Sequence, residues 1–124
     1  MGLIRATTGA VLVLRISYGL ALVAVPRRLA LRWLGDAANG APVQVPLRGL
    51  GAREAILHGG ALVALRRGAP LRPWLAASVA GDLTDVIATA AGRRRLPAGS
   101  PLATLAVGGG SALVSLLLAG AIDE

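Results

Sequence analysis

The chain has 124 residues, of which 55% are hydrophobic, 15% are charged and only 2% are aromatic. Soluble domains are about one-quarter charged and usually bury aromatic side chains, so this composition excludes disorder and argues against a soluble enzyme. The absence of cysteine excludes a disulfide scaffold or a cysteine-ligated metal. All 13 basic residues are arginine, and with 6 acidic residues the net charge is +7. We expect one domain, residues 1–124, in a membrane.

Four apolar segments follow one another along the chain, separated by prolines and glycines that end helices or begin them. A helix of about 20 residues crosses a hydrocarbon core, and each segment has roughly that length. We therefore predict an all-α polytopic membrane protein, an antiparallel bundle of four transmembrane helices. The predicted spans are residues 8–25, 47–65, 71–92 and 101–122.

Residues 26–34 (PRRLALRWL) alternate arginine with leucine in the first connection. This pattern predicts a short amphipathic helix in the headgroup layer, with a plain ordered loop as the alternative. Trp33 and Trp74 are predicted to be interfacial aromatics. In the helical interpretation Arg27, Arg28 and Arg32 face anionic lipid, and Leu29, Leu31 and Trp33 face the acyl boundary.

Most arginines lie in short clusters between the apolar segments, at positions 27–32, 66–72 and 93–95. This distribution is typical of loops that flank membrane spans. No basic helix carries interleaved aromatics that would stack on bases, so we predict no nucleic-acid partner. The positive-inside rule predicts that the clusters at positions 27–32 and 93–95 lie in the cytoplasm and that both termini lie outside.

Several ionisable and polar residues lie inside the predicted spans. A charge at the bilayer centre costs about 2.5–3.5 kcal/mol on insertion scales, so these groups should face one another. Glu54 and His58 share a helix face because they are four residues apart. On the third span the spacing of four polar residues defines one narrow face. They are Ser78, Asp82, Asp85 and Thr89.

Helical rise places groups from three spans at nearly the same depth. We predict a buried network in which Arg15 and Arg53 pair with Glu54, Asp82 and Asp85. The formal charge of these five groups is −1, so one proton would neutralise them. We expect that proton on His58 or shared by two carboxylates. The complete predicted polar core is Arg15, Arg53, Glu54, His58, Ser78, Asp82 and Asp85.

Two alternatives to a binding or translocation site remain for this network. Buried charge pairs can simply fix helix register, or they can form an interface with a partner subunit. Small residues beside the polar faces indicate close helix contacts, and the glycine run 108–110 predicts a close crossing or a bend. The small residues beside the polar faces are Gly51, Ala55 and Gly59 on the second span and Gly81 and Ala88 on the third.

Two sequence stretches carry a family resemblance. They are Arg48-Gly49-Leu50-Gly51-Ala52-Arg53-Glu54 and Gly81-Asp82-Leu83-Thr84-Asp85. The region 47–92 resembles small four-helix bacterial integral membrane proteins of unknown function, including relatives of the DoxX-like group. The resemblance implies a four-helix fold that crosses the inner membrane several times. It singles out Arg53, Glu54, Asp82 and Asp85 but implies no established reaction. Without cysteine, a thiol-redox role cannot be transferred.

Three functions are consistent with these features. The first is a membrane protein that binds or moves a proton, ion or small molecule through its polar centre. The second is a cofactor-free membrane-embedded enzyme that uses carboxylates as general acid or base on an apolar substrate. The third is a structural or accessory subunit. Membrane lipid is the expected partner, with a homo-oligomer or a partner membrane subunit as further possibilities. A lone histidine without a metal-binding spacing predicts no metal, and we expect no cofactor.

Overall fold

The computed structural model describes residues 2–122, which form five α-helices. The prediction of an all-α fold is therefore confirmed. Short 3₁₀ turns at Gly35–Asn39 and Arg93–Arg95 lie in two of the connections. The helices are α1 (Gly2–Ala24), α2 (Pro26–Leu34), α3 (Ala41–Arg67), α4 (Arg72–Ala91) and α5 (Ser100–Ile122).

Helix α3 begins six residues before the predicted span. Pro42 lies in its first turn, where the missing N–H would have no helical partner in any case. Pro46 lies inside the helix and removes one backbone hydrogen bond. The helix ends at Arg67, and the left-handed φ of 67° at Gly68 lets the Gly68 N–H reach the carbonyls of Ala64 and Leu65. Pro42 and Pro46, which precede the predicted span beginning at residue 47, are therefore part of the helix.

Helices α1 and α3 pack antiparallel and form the largest helix–helix interface. Arg5 donates a hydrogen bond to the carbonyl of Leu65 at one end, and Arg48 donates one to Val23 at the other. Between them two glycines meet. A Cβ on Gly51 would lie 2.5 Å from the carbonyl oxygen of Gly19, so only glycine allows the helices to approach this closely.

The predicted small-residue contacts on α3 are present only in part. A Cβ on Gly19 would lie 2.8 Å from the Ala55 amide nitrogen, so Ala55 and Gly51 both border α1. Gly59, by contrast, has no neighbouring atom within 4 Å of its Cβ position. Of these three residues, Gly51 and Ala55 therefore lie at the contact with α1, and Gly59 does not.

Helices α4 and α5 form the second antiparallel pair. Arg72 donates a hydrogen bond of 3.3 Å to the carbonyl of Ala119, and a Cβ on Gly108 would lie 3.3 Å from the Asp82 carbonyl oxygen. Helix α5 contains a π-helical turn at Leu105–Gly109. The close crossing predicted at the glycine run is therefore present, and the π-helical turn is an irregularity at the same place. Gly81, which was expected to border this packing face, has no neighbour within 4 Å of its Cβ position, and Ala88 is exposed.

The described helices carry polar side chains inside and large apolar side chains outside. The exterior includes Leu14, Ile56, Ile87 and Leu117. Aliphatic cores lie on either side of the polar layer, one around Leu12, Leu65, Leu71 and Leu75 and a smaller one around Ala30, Ala38 and Leu47. The buried polar residues are Thr8, His58, Ser78, Asp82, Thr89, Ser100 and Ser115.

Two of the four long helices, α1 and α5, are long and apolar enough to cross a membrane. Helices α3 and α4 do not reach this level of hydropathy, although four such segments were predicted. The physical reason is the charge they carry near their midpoints, at Arg53 and Glu54 on α3 and at Asp82 and Asp85 on α4. Sequence and structure therefore agree on two apolar helices of membrane length.

The predicted helix at residues 26–34 is present as α2, and its three arginines are exposed. Trp33 differs from the expectation. Its indole Nε1 donates a 3.0 Å hydrogen bond to Thr89 Oγ1, and its ring packs against Ala38 and Leu47. Trp74 likewise packs on the backbone at Gly60. Both rings are held by protein contacts because glycine or small residues leave room for them, so neither simply faces a lipid boundary.

Candidate functional site

An ion-paired cluster joins the three helices α1, α3 and α4 at mid-length. Arg15 makes two parallel hydrogen bonds to Asp82, from Nη1 to Oδ2 at 2.7 Å and from Nη2 to Oδ1 at 2.6 Å. Its Nη2 also donates to Glu54 Oε2 at 3.1 Å. A planar guanidinium matches a carboxylate in this forked geometry. The arrangement fixes Arg15 between two acids and leaves it little freedom to bind anything else.

His58 links α3 to α4 beside this cluster. Its Nδ1 lies 2.7 Å from the Glu54 carbonyl oxygen and 3.4 Å from Glu54 Oε2, and its Nε2 lies 2.9 Å from Ser78 Oγ. A carbonyl oxygen only accepts, so Nδ1 donates to it. The neutral imidazole then accepts from the Ser78 hydroxyl at Nε2. Both ring nitrogens are satisfied without an added proton, which makes His58 a connector between helices.

The structure does not bring Arg53 into the cluster. Arg53 is exposed on α3 and forms no ion pair with any residue between 2 and 122. Asp85 lies one turn beyond Asp82 and is half-buried. It too has no salt-bridge partner among the described residues. Of the predicted polar core, Arg15, Glu54, His58, Ser78 and Asp82 are therefore joined, and Asp85 stands beside them with its charge unmatched.

A cavity of about 400 Å³ lies against this cluster, and all five helices contribute to its wall. It extends from the mid-length charges towards α2, which contributes Arg32 and Trp33 to one end of the wall. The charged groups in its wall are two arginines and three carboxylates, a formal sum of 2 − 3 = −1. They are Arg15, Arg32, Glu54, Asp82 and Asp85.

The side of the cavity between α1 and α5 is apolar. Leu14 and Val107 line it, and they are also among the most exposed side chains of their helices. Helices α1 and α5 share only a small contact. The cavity therefore has a charged inner wall and an apolar mouth on the outer surface of the bundle.

Several wall residues were not singled out from sequence as site residues. Tyr18 lies one turn beyond Arg15, and Thr104 and Ser111 lie on α5 around the π-helical turn. Their spacing gives no distinctive pattern, because a few hydroxyls in an apolar helix are common. The available signal was the pattern of residues 26–34, which marks α2 as a helix but does not indicate that it folds over a cavity.

Comparison of the chain with protein-family models, curated proteins and solved structures finds no match. The resemblance to small four-helix bacterial membrane proteins therefore stays a prediction. Function has to be inferred from the site itself.

Proposed function

We propose that the chain is an integral membrane protein in which α1, α3, α4 and α5 all cross the bilayer. The support is the distribution of side chains. Glu54 and Asp82 point inward at Arg15, so the charges of α3 and α4 are largely internal. The outward faces of the same helices present Ile56, Val63, Leu83 and Ile87. Polar groups inside and large aliphatic groups outside suit a hydrocarbon solvent.

Helix lengths and the exposed Arg53 fit this arrangement. The shortest of the four long helices, α4, has 20 residues and extends about 30 Å, the thickness of a hydrocarbon core. Arg53 lies five residues from Arg48, a rise of about 7.5 Å, and Arg48 is level with the end of α1 near Val23. An arginine side chain is long enough to extend along the helix towards the headgroups from that depth.

Cysteine labelling distinguishes four spans from two. The chain has no native cysteine, so Ala37→Cys, Ala69→Cys and Ala98→Cys each introduce a single thiol at an exposed alanine. With four spans, positions 37 and 98 lie on one side and position 69 on the other. In intact cells a membrane-impermeant maleimide should label only Ala69→Cys, because the positive-inside rule predicts that the arginine clusters at positions 27–32 and 93–95 lie in the cytoplasm.

After lysis all three variants should react, which serves as the control for accessibility. If only α1 and α5 crossed the membrane, all three positions would lie on the same side, and in intact cells either all three or none of them would be labelled. That outcome would overturn the four-span proposal.

We further propose that the protein binds a small molecule or ion in the cavity. The cavity volume lies within the range of about 300–1,000 Å³ that is usual for ligand sites. A role in fixing helix register accounts for the Arg15, Asp82 and Glu54 bridges. It accounts neither for a cavity beside them nor for the unpaired carboxylate of Asp85. The coincidence of that carboxylate and the cavity is the observation that favours ligand binding.

Filling the mouth tests this function. Val107→Phe adds volume at the cavity mouth, and Leu117→Phe makes a comparable change on the same helix away from it. The two positions are 64% and 65% exposed, so neither change disturbs a core. Binding is measured to purified protein in lipid nanodiscs with three probes of one shape: tetraphenylphosphonium, tetraphenylsilane and tetraphenylborate.

We expect saturable binding of at least one probe, weakened at least about tenfold by Val107→Phe and unchanged by Leu117→Phe. Protein-free nanodiscs correct for partition into lipid. If no probe bound saturably, or if both variants weakened binding equally, the proposed function would be wrong.

A further inference from the structure

The charges of the cavity wall are unevenly compensated, and this imbalance indicates the kind of ligand it takes. The charge of Arg15 is compensated by two carboxylates, which accept three hydrogen bonds from its guanidinium. Asp85, which lines the same cavity, has no cationic partner among residues 2–122. An unpaired carboxylate that is removed from water gains more from a counter-charge than an exposed one does. The wall therefore favours a ligand that brings one positive charge.

Arg32 also lines the cavity and has no ion pair with any residue from 2 to 122, but it does not favour an anionic ligand. Arg32 is exposed on α2 at the end of the cavity, where its guanidinium is solvated. Asp85 is half-buried and lies deeper, one turn from Asp82. An anion at Arg32 would replace water at modest gain, and it would also face the net negative wall formed by Glu54, Asp82 and Asp85.

The aromatic and aliphatic residues of the cavity wall indicate the chemistry of the uncharged part of the ligand. Tyr18 and Trp33 are among the residues that line the cavity, and aromatic rings attract cations that carry little water. Leu14, Val107 and Leu29 provide aliphatic contacts. The mouth between α1 and α5 is lined by Leu14 and Val107, which are both exposed. A ligand that enters there from lipid must itself be apolar over most of its surface.

We infer that the cavity binds a lipophilic monocation, such as a quaternary ammonium or phosphonium compound or a protonated hydrophobic amine. Its charge lies near Asp85 and its apolar body lies between α1 and α5. This inference rests on the proposed ligand-binding function and adds the chemical class of the ligand. Arg15 and its two carboxylates act as the fixed wall, because their mutual bonds leave the cluster in place with or without a ligand.

The three probes of one shape test the class directly. We expect tetraphenylphosphonium to bind at least about tenfold more tightly than tetraphenylsilane, and tetraphenylborate to bind most weakly. Asp85→Asn should remove the preference for the cation and leave the binding of tetraphenylsilane unchanged. Asp85→Glu should retain the preference. Asp36→Asn, which removes an exposed acid outside the cavity, is the matched control and should have no effect.

Failure of this inference differs from failure of the proposed function. If the neutral or anionic probe bound as tightly as the cation, and Val107→Phe still weakened its binding, the cavity would bind a different class of ligand. The same conclusion would follow if Asp85→Asn left the preference for the cation intact. Absence of saturable binding by all three probes would overturn both proposals together.

Discussion

Replacement of Arg15 by methionine is expected to lower the free energy of unfolding by about 3–5 kcal/mol, the usual cost of removing one partner from a buried charge pair. The change leaves the buried Asp82 carboxylate without its forked partner and removes the bond to Glu54. Methionine retains most of the side-chain volume, so the loss reports charge rather than packing. Denaturant titration of the detergent-solubilised protein, followed by tryptophan fluorescence, measures the effect.

Arg53→Met is the matched control, because Arg53 is exposed and has no ion pair with any described residue. We expect this change to alter stability by less than about 0.5 kcal/mol. The double variant Arg15→Met/Asp82→Leu should recover much of the lost stability, since it removes both members of the strongest bridge. Equal losses in Arg15→Met and Arg53→Met would show that the described ion pairs do not stabilise the fold.

Gly51→Ala is expected to destabilise the protein by about 1–3 kcal/mol, the range for overpacking. Its new Cβ would lie 2.5 Å from the Gly19 carbonyl oxygen and 2.9 Å from Leu22 Cβ. These contacts are too short to be kept, so α1 and α3 must separate along their largest interface. The loss is measured by the same titration.

Gly59→Ala provides the same chemical change on the same helix in open surroundings. No atom lies within 4 Å of its Cβ position, and alanine is favoured over glycine in a helix by about 1 kcal/mol. We expect a small gain in stability. A gain in both variants would show that the two helices do not cross at Gly19 and Gly51.

The depth of residues along each helix and the face on which they lie were enough to predict part of the polar centre from sequence. Arg15, Glu54 and Asp82 belong to three different helices, and equal depth was enough to predict that they meet. The same reasoning included Arg53, which the structure places outside. Successive residues on a helix point about 100° apart, so Arg53 and Glu54 cannot both face α1. Depth alone does not say which of the two turns inward.

Other features depended on tertiary contacts that no local pattern contains. The pattern of residues 26–34 predicted α2, but the direction of Trp33 depends on Thr89, which lies 56 residues away in sequence. The cavity needs all five helices at once. Asp85 has no salt-bridge partner among the described residues because Arg15 pairs with Asp82 and Glu54 instead. The spacing of residues along α4 does not distinguish Asp82 from Asp85.

The long sequence separation of the central bridges has a consequence for biogenesis. Arg15 is synthesised 39 residues before Glu54 and 67 residues before Asp82. In a chain that inserts as it is translated, α1 would initially carry an uncompensated guanidinium into the bilayer, at a cost of about 2.5–3.5 kcal/mol. If α1, α3 and α4 cross the bilayer as proposed, this cost is recovered only when Glu54 and Asp82 reach Arg15, so the three helices stabilise one another once α4 has been made.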